Sequence, residues 1–106
     1  METLRQQHDN IEYETSLRFS ALLNNFEQDI TLAADDENYD DCELVEVYNE
    51  VNGGIYSVYV VGITKGGMIK GRDLDGGAKG DYRFSELASV LDRINIVEIL
   101  EANQNN

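Results

Sequence analysis

The sequence predicts an α+β domain, with helices packed on one face of a four-stranded antiparallel meander sheet, and three observations carry that prediction. All nine glycines fall between Gly53 and Gly80, and the chain has no proline. Inside that stretch, three glycine-rich turn signals separate runs of β-branched and aromatic residues. Outside it, apolar residues recur at the spacing of a helical stripe.

The N-terminal stripe is Phe19, Leu22, Leu23, Phe26, Ile30 and Ala33, positions that share one face of a helix. It predicts a helix over residues 15–34. Leu4, His8, Ile11 and Thr15 nearly continue the seam, leaving two alternatives: one rod beginning near Glu2, or a short separate helix ahead of the main one. The turns are Asn52-Gly53-Gly54, Lys65-Gly66-Gly67 and Asp75-Gly76-Gly77, and they bound strands over residues 43–51, 55–64, 68–74 and 79–84. The second strand, IYSVYVVGI, is apolar on both faces. Such a strand suits the centre of a sheet, covered by helices on one side and by tyrosines or a partner on the other. The last strand sets Tyr82 and Phe84 on one face and Asp81 and Arg83 on the other, the alternation of a half-exposed edge.

Downstream, Ser85 is a candidate N-cap, with Glu86 placing a carboxylate at the positive end of the helix dipole. Leu87, Val90, Leu91, Ile94, Val97 and Leu100 supply the stripe of a helix over residues 86–103. Asn95, with Glu98 three residues on, is a second capping signal, so one helix or two short ones meeting near Ile94 both fit. The tail over 103–106 is polar and expected to fray. All 106 residues then form one domain, large enough to build a core without a metal or a disulfide.

Charge narrows the function. The chain carries 21 acids against eight bases, a formal net charge of −13. That balance argues against direct nucleic-acid binding by phosphate neutralisation and against a polybasic membrane contact. Residues 35–50 hold eight acids and no base, whereas the glycine-rich block is slightly basic through Lys65, Lys70, Arg72, Lys79 and Arg83. The acidic stretch reads in two ways. The plain one is a solvated loop and edge strand that keep a small protein apart from its neighbours. The sharper one is a surface aimed at a basic protein partner, with Asp35, Asp36, Glu37, Tyr39, Asp40, Asp41, Glu43, Glu46 and Glu50 as its contact residues. Tyr39 is either an interface anchor or a ring folded back on the domain itself. Extended at roughly 3.3 Å per residue, the stretch carries one charge per ~6.6 Å, half the density of a DNA strand. Imitating nucleic acid therefore requires Glu12, Glu14, Glu27 and Asp29 to align beside it.

Catalytic chemistry finds little support in the residue types. The single histidine, His8, sits far in sequence from the single cysteine, Cys42, whose acidic surroundings oppose thiolate formation. A zinc site lacks its Cys/His cluster. Asp73-Leu74-Asp75-Gly76-Gly77 begins like a calcium loop but places Gly77 and Ala78 where an oxygen ligand and a glycine belong. The glycine runs lack the spacing of a phosphate loop. No cofactor and no enzymatic activity are expected. The polar start and the lack of a long apolar run suggest a soluble, cytoplasmic protein.

The expectation is a small, non-enzymatic interaction protein that binds and inhibits a basic, nucleic-acid-handling partner through residues 35–50. Small acidic inhibitors carried by phages and mobile elements share this size and charge, and the analogy goes no further. The alternative is a self-associating module, a homodimer formed through apolar helix faces. It is suggested by INIVEIL, where Ile96 and Ile99 widen the C-terminal stripe.

Overall fold

Two helices lie on one face of an antiparallel sheet in the computed structural model, which describes residues 4–33, 39, 42–48, 53–73 and 79–104. Helix α1 (Leu4–Leu23) leads into the two-residue strand β1 (Ile30–Thr31), followed by β2 (Leu44–Tyr48), β3 (Ile55–Ile63), β4 (Met68–Asp73) and β5 (Lys79–Arg83). A 3₁₀ turn (Phe84–Glu86) and helix α2 (Val90–Asn103) complete the chain. The predicted strands recur with ends shifted by a few residues. The Asp75-Gly76-Gly77 turn lies outside the described residues.

Helix α1 takes the first of the two predicted forms, a single rod, and corrects the predicted span at its C-terminal end. It begins by Leu4 as one continuous rod and stops at Leu23. The Asn25 and Phe26 amides donate to the Leu22 and Leu23 carbonyls, tightening the last turn. The chain then leaves the helix because β3 offers it an edge. Strand β2 pairs with the first part of β3, from Ile55 to Tyr59, and β1 occupies the same edge further on, Ile30 opposite Ile63 and Thr31 opposite Gly62. The sheet is thus one strand richer than the predicted four-stranded meander. Gly62 permits the approach: a Cβ there would lie 2.7 Å from the Ile30 carbonyl oxygen. Beside it, Val61 is an extra residue in the pairing of β3 with β4, and its carbonyl accepts from both Leu32 and Ala33 amides at 2.8 and 3.1 Å. Phe26, Ile30 and Ala33 still turn inward, from a loop and a strand instead of a helix.

The bulge also keeps β3 inward-facing along its length, moving the core positions from Val58 and Val60 to Ile63. These residues, with Val45, Val47 and Ile69, meet Phe19 of α1 and Ile96, Val97 and Leu100 of α2. Phe19 stacks on Phe84 with ring centroids 4.1 Å apart.

The C-terminal helix is likewise corrected. Ser85 lies in the 3₁₀ turn, and the N-cap is Ser89, whose Oγ accepts from the Asp92 amide at 3.1 Å. Asn95 starts no second helix; α2 runs through it unbroken to Asn103, the predicted end of the helix. With the cap four residues later, Leu87 falls off the helix yet is fully buried, paired as an isolated bridge with Val47, while Leu91 is 66% exposed. At about 100° per residue the buried face of α2 centres on Ile96, Val97 and Leu100, away from Leu91. Ile96 and Ile99, the residues that suggested self-association, are taken up by the chain's own core.

Across β4 and β5, Gly71 pairs with Gly80, and the Tyr82 ring lies over both: a Cβ on either glycine would come within 3.0 Å of it. Partial burial, then the charges of Asp73 and Glu86 and the nearby Tyr56, raise the Tyr82 phenol above its ordinary 10.0. The unfolded chain therefore loses this proton first as pH rises. The stabilisation is complete below the ordinary value and is lost as pH climbs through the raised one. Tyr82→Phe is expected to melt closer to the parent at about pH 11 than at about pH 8, read as the difference in Tm at each pH. An unchanged difference would show that the phenol titrates alike in both states.

Candidate interaction surface

Six of the nine residues predicted to contact a partner, Asp35, Asp36, Glu37, Asp40, Asp41 and Glu50, lie outside the described residues. The other three have distinct surroundings. Tyr39 is half-buried and its ring packs against Tyr59, centroids 5.8 Å apart, so it folds back on the chain's own sheet. Glu43 is tied to the helical layer, its Oε1 accepting from Asn95 Nδ2 at 3.0 Å. Only Glu46 is exposed, on the outer sheet face. Its backbone is engaged: the amide donates to Asp92 Oδ2 at 3.0 Å and the carbonyl accepts from Ala88 at 2.8 Å. With the Leu87 bridge, these bonds close the outer edge of β2 against a partner strand. Leu44, Tyr48 and Ile55 stand exposed on the outer sheet face.

Among the described residues, three arginines are held in ion pairs within the chain and a fourth is buried. Arg93 pairs with Glu12, Arg18 with Glu101, and Arg83 Nε with Glu86 Oε1 at 2.9 Å, while Arg72 is only 6% exposed. Each pair cancels one base against one acid, so the net charge of −13 stays with the remaining carboxylates and sets the sign of the field.

Two of these pairs, with one further bond, define how the helices meet. Glu12 reaches Arg93, Arg18 reaches Glu101, and the Leu22 carbonyl accepts from Gln104 Nε2 at 3.4 Å. Residue numbers rise together along both helices, so α1 and α2 run side by side in the same direction. Between them lies a groove of about 220 Å³. Ile11, Glu14, Thr15 and Arg18 form one wall, and Ile94, Val97, Glu98 and Glu101 form the other. Both sets carry the same i, i+3, i+4, i+7 spacing, a signal present in the sequence and overlooked because each stripe mixes apolar with charged residues. Thr15 closes on its own helix, Oγ1 donating to the Ile11 carbonyl at 2.6 Å.

The other carboxylates needed for nucleic-acid imitation do not line up with Glu14. Glu12 is held by Arg93; Glu27 and Asp29 line a separate, open hollow with Asn25, Gln28 and Gln104, where Asp29 Oδ1 accepts from the Lys65 amide at 2.8 Å. That hollow is wide, about 700 Å³, and mostly polar. Among the described residues, no three His, Cys, Asp or Glu side chains are grouped to hold a metal ion, and no helix is long and apolar enough to cross a membrane. Cys42 is half-buried, its amide donating to the Tyr39 carbonyl at 2.9 Å. No family model, no curated protein and no solved structure matches the chain.

Proposed function

We propose that the chain is a small, non-enzymatic binding protein that engages and blocks a basic, nucleic-acid-handling protein through its acidic surface. The observation that supports this reading is the separation of charge. Eight acids without a base occupy residues 35–50, while Arg18, Arg83 and Arg93 pair with carboxylates of the same chain. A surface of one sign steers an oppositely charged partner into contact and raises the association rate. The partner's cationic site, once covered, is closed to nucleic acid.

The test is capture from a host lysate at low salt on the immobilised chain, run in parallel with D36N/E37Q/D40N/D41N. The parent is expected to retain a basic protein that elutes with salt, and the variant to lose it. Equal retention on both would overturn the assignment of the surface to residues 35–50. Self-association keeps one supporting observation, the outward pair Tyr13 and Leu17 one turn apart on α1, 67% and 53% exposed. Sedimentation over a range of concentrations separates the two readings, because only self-association makes the mass rise with concentration.

A further inference from the structure

We infer that the groove between α1 and α2 is a docking slot for one amphipathic helix of a partner protein, carrying aliphatic anchors flanked by lysine or arginine. The inference rests on the acidic-surface reading above and gives it a second, structurally defined contact. At about 220 Å³ the groove is smaller than the roughly 300–1,000 Å³ of small-molecule sites. It is a size for side chains to enter. Its open apolar lining is Ile11, 45% exposed, and half-buried Ile94, above a floor of buried Thr15 and Val97. Two parallel helices with a furrow between them are a natural seat for a third helix, which lowers its apolar stripe into the furrow.

Charge selects the occupant. Glu14 and Glu98 stand exposed on opposite walls, neither in an ion pair among the described residues, while the one guanidinium of the lining, Arg18, is bound to Glu101. Cations beside an aliphatic anchor would meet carboxylates on both sides. A second copy of the chain, at −13, matches these carboxylates less well than a cationic helix does, and so does an anionic lipid surface.

The test titrates a synthetic helical peptide, leucines on one face and lysines on the other, into the isotope-labelled full chain, with a leucine–glutamate peptide as control. The largest amide shifts are expected at Ile11, Thr15, Ile94 and Glu98. E14Q/E98Q is expected to weaken binding about fivefold, the loss of two partly exposed ion pairs, and the glutamate peptide to leave the spectrum unchanged. The two substitutions sit at exposed positions, and an undisturbed spectrum of the free variant checks its fold. Shifts confined to residues 35–50 would overturn the groove and keep the acidic-surface reading. Equal binding of both peptides, or none of either, would overturn both. Groove shifts that follow protein concentration without peptide would replace the partner helix by a second copy and overturn the inference.

Discussion

Leu87→Ala is expected to lower the unfolding free energy by about 2–5 kcal/mol, the range for removing a buried leucine side chain and leaving a cavity. Leu87 has no exposed surface, although it belongs to neither helix nor sheet. It fills the space where the 3₁₀ turn passes to α2, and its backbone bridges Val47. A domain of this size has only about 5–15 kcal/mol of stability, so the loss should move the melting point by about 10 °C or more. Leu91→Ala supplies the control. At 66% exposed, Leu91 should change stability by no more than about 0.5 kcal/mol. Urea unfolding of the pair measures the contrast, and equal losses would contradict the position of the cap at Ser89.

Arg93→Ala should cost about 2–4 kcal/mol, because one guanidinium joins three parts of the fold. Its Nη1 donates to Glu12 of α1, and its Nη2 donates to the Leu87 carbonyl at 2.8 Å and, more weakly, to that of Ser85 at 3.4 Å. The arginine side chain is 16% exposed and the glutamate 35%, so the pair is partly desolvated and worth more than a surface bridge. A double-mutant cycle with Glu12→Gln is expected to return a coupling of about 1 kcal/mol, leaving the remainder to the two carbonyls. Because Arg93 holds the Leu87 carbonyl, the Arg93 and Leu87 substitutions should also combine non-additively. A cycle that closes at zero would remove the contact between α1 and α2 at this point.

The features legible in the sequence were those set over short distances. Runs of β-branched and aromatic residues between glycine turns, among them Lys65-Gly66-Gly67, where Gly67 takes a positive φ of 94°, placed strands and hairpins within a few residues. The N-terminal stripe named the right inward residues but gave Phe26, Ile30 and Ala33 the wrong backbone, since inward spacing alone does not distinguish a helix from a turn followed by a strand. Ser85 and Ser89 are equally good caps on paper. The choice fell to Ser89 once Leu87 and Ala88 bonded to the free edge of β2. For the candidate surface, the acidic run was visible as composition, whereas the groove needed two stripes more than seventy residues apart to face each other.

By itself, then, the sequence determined the α+β class, the order of hairpins and the concentration of negative charge at residues 35–50. These follow from helical spacing, β-branched runs between glycine turns and the charges themselves. Only the tertiary structure decided where α1 stops, which serine caps α2, how far the chain buries Leu87 and Arg72, and that Glu14 and Glu98 flank one furrow. Those outcomes depend on hydrogen-bonding edges and packing partners distant in the chain: an unfilled stretch of β3, the outer edge of β2, and the ion pairs that set two parallel helices side by side.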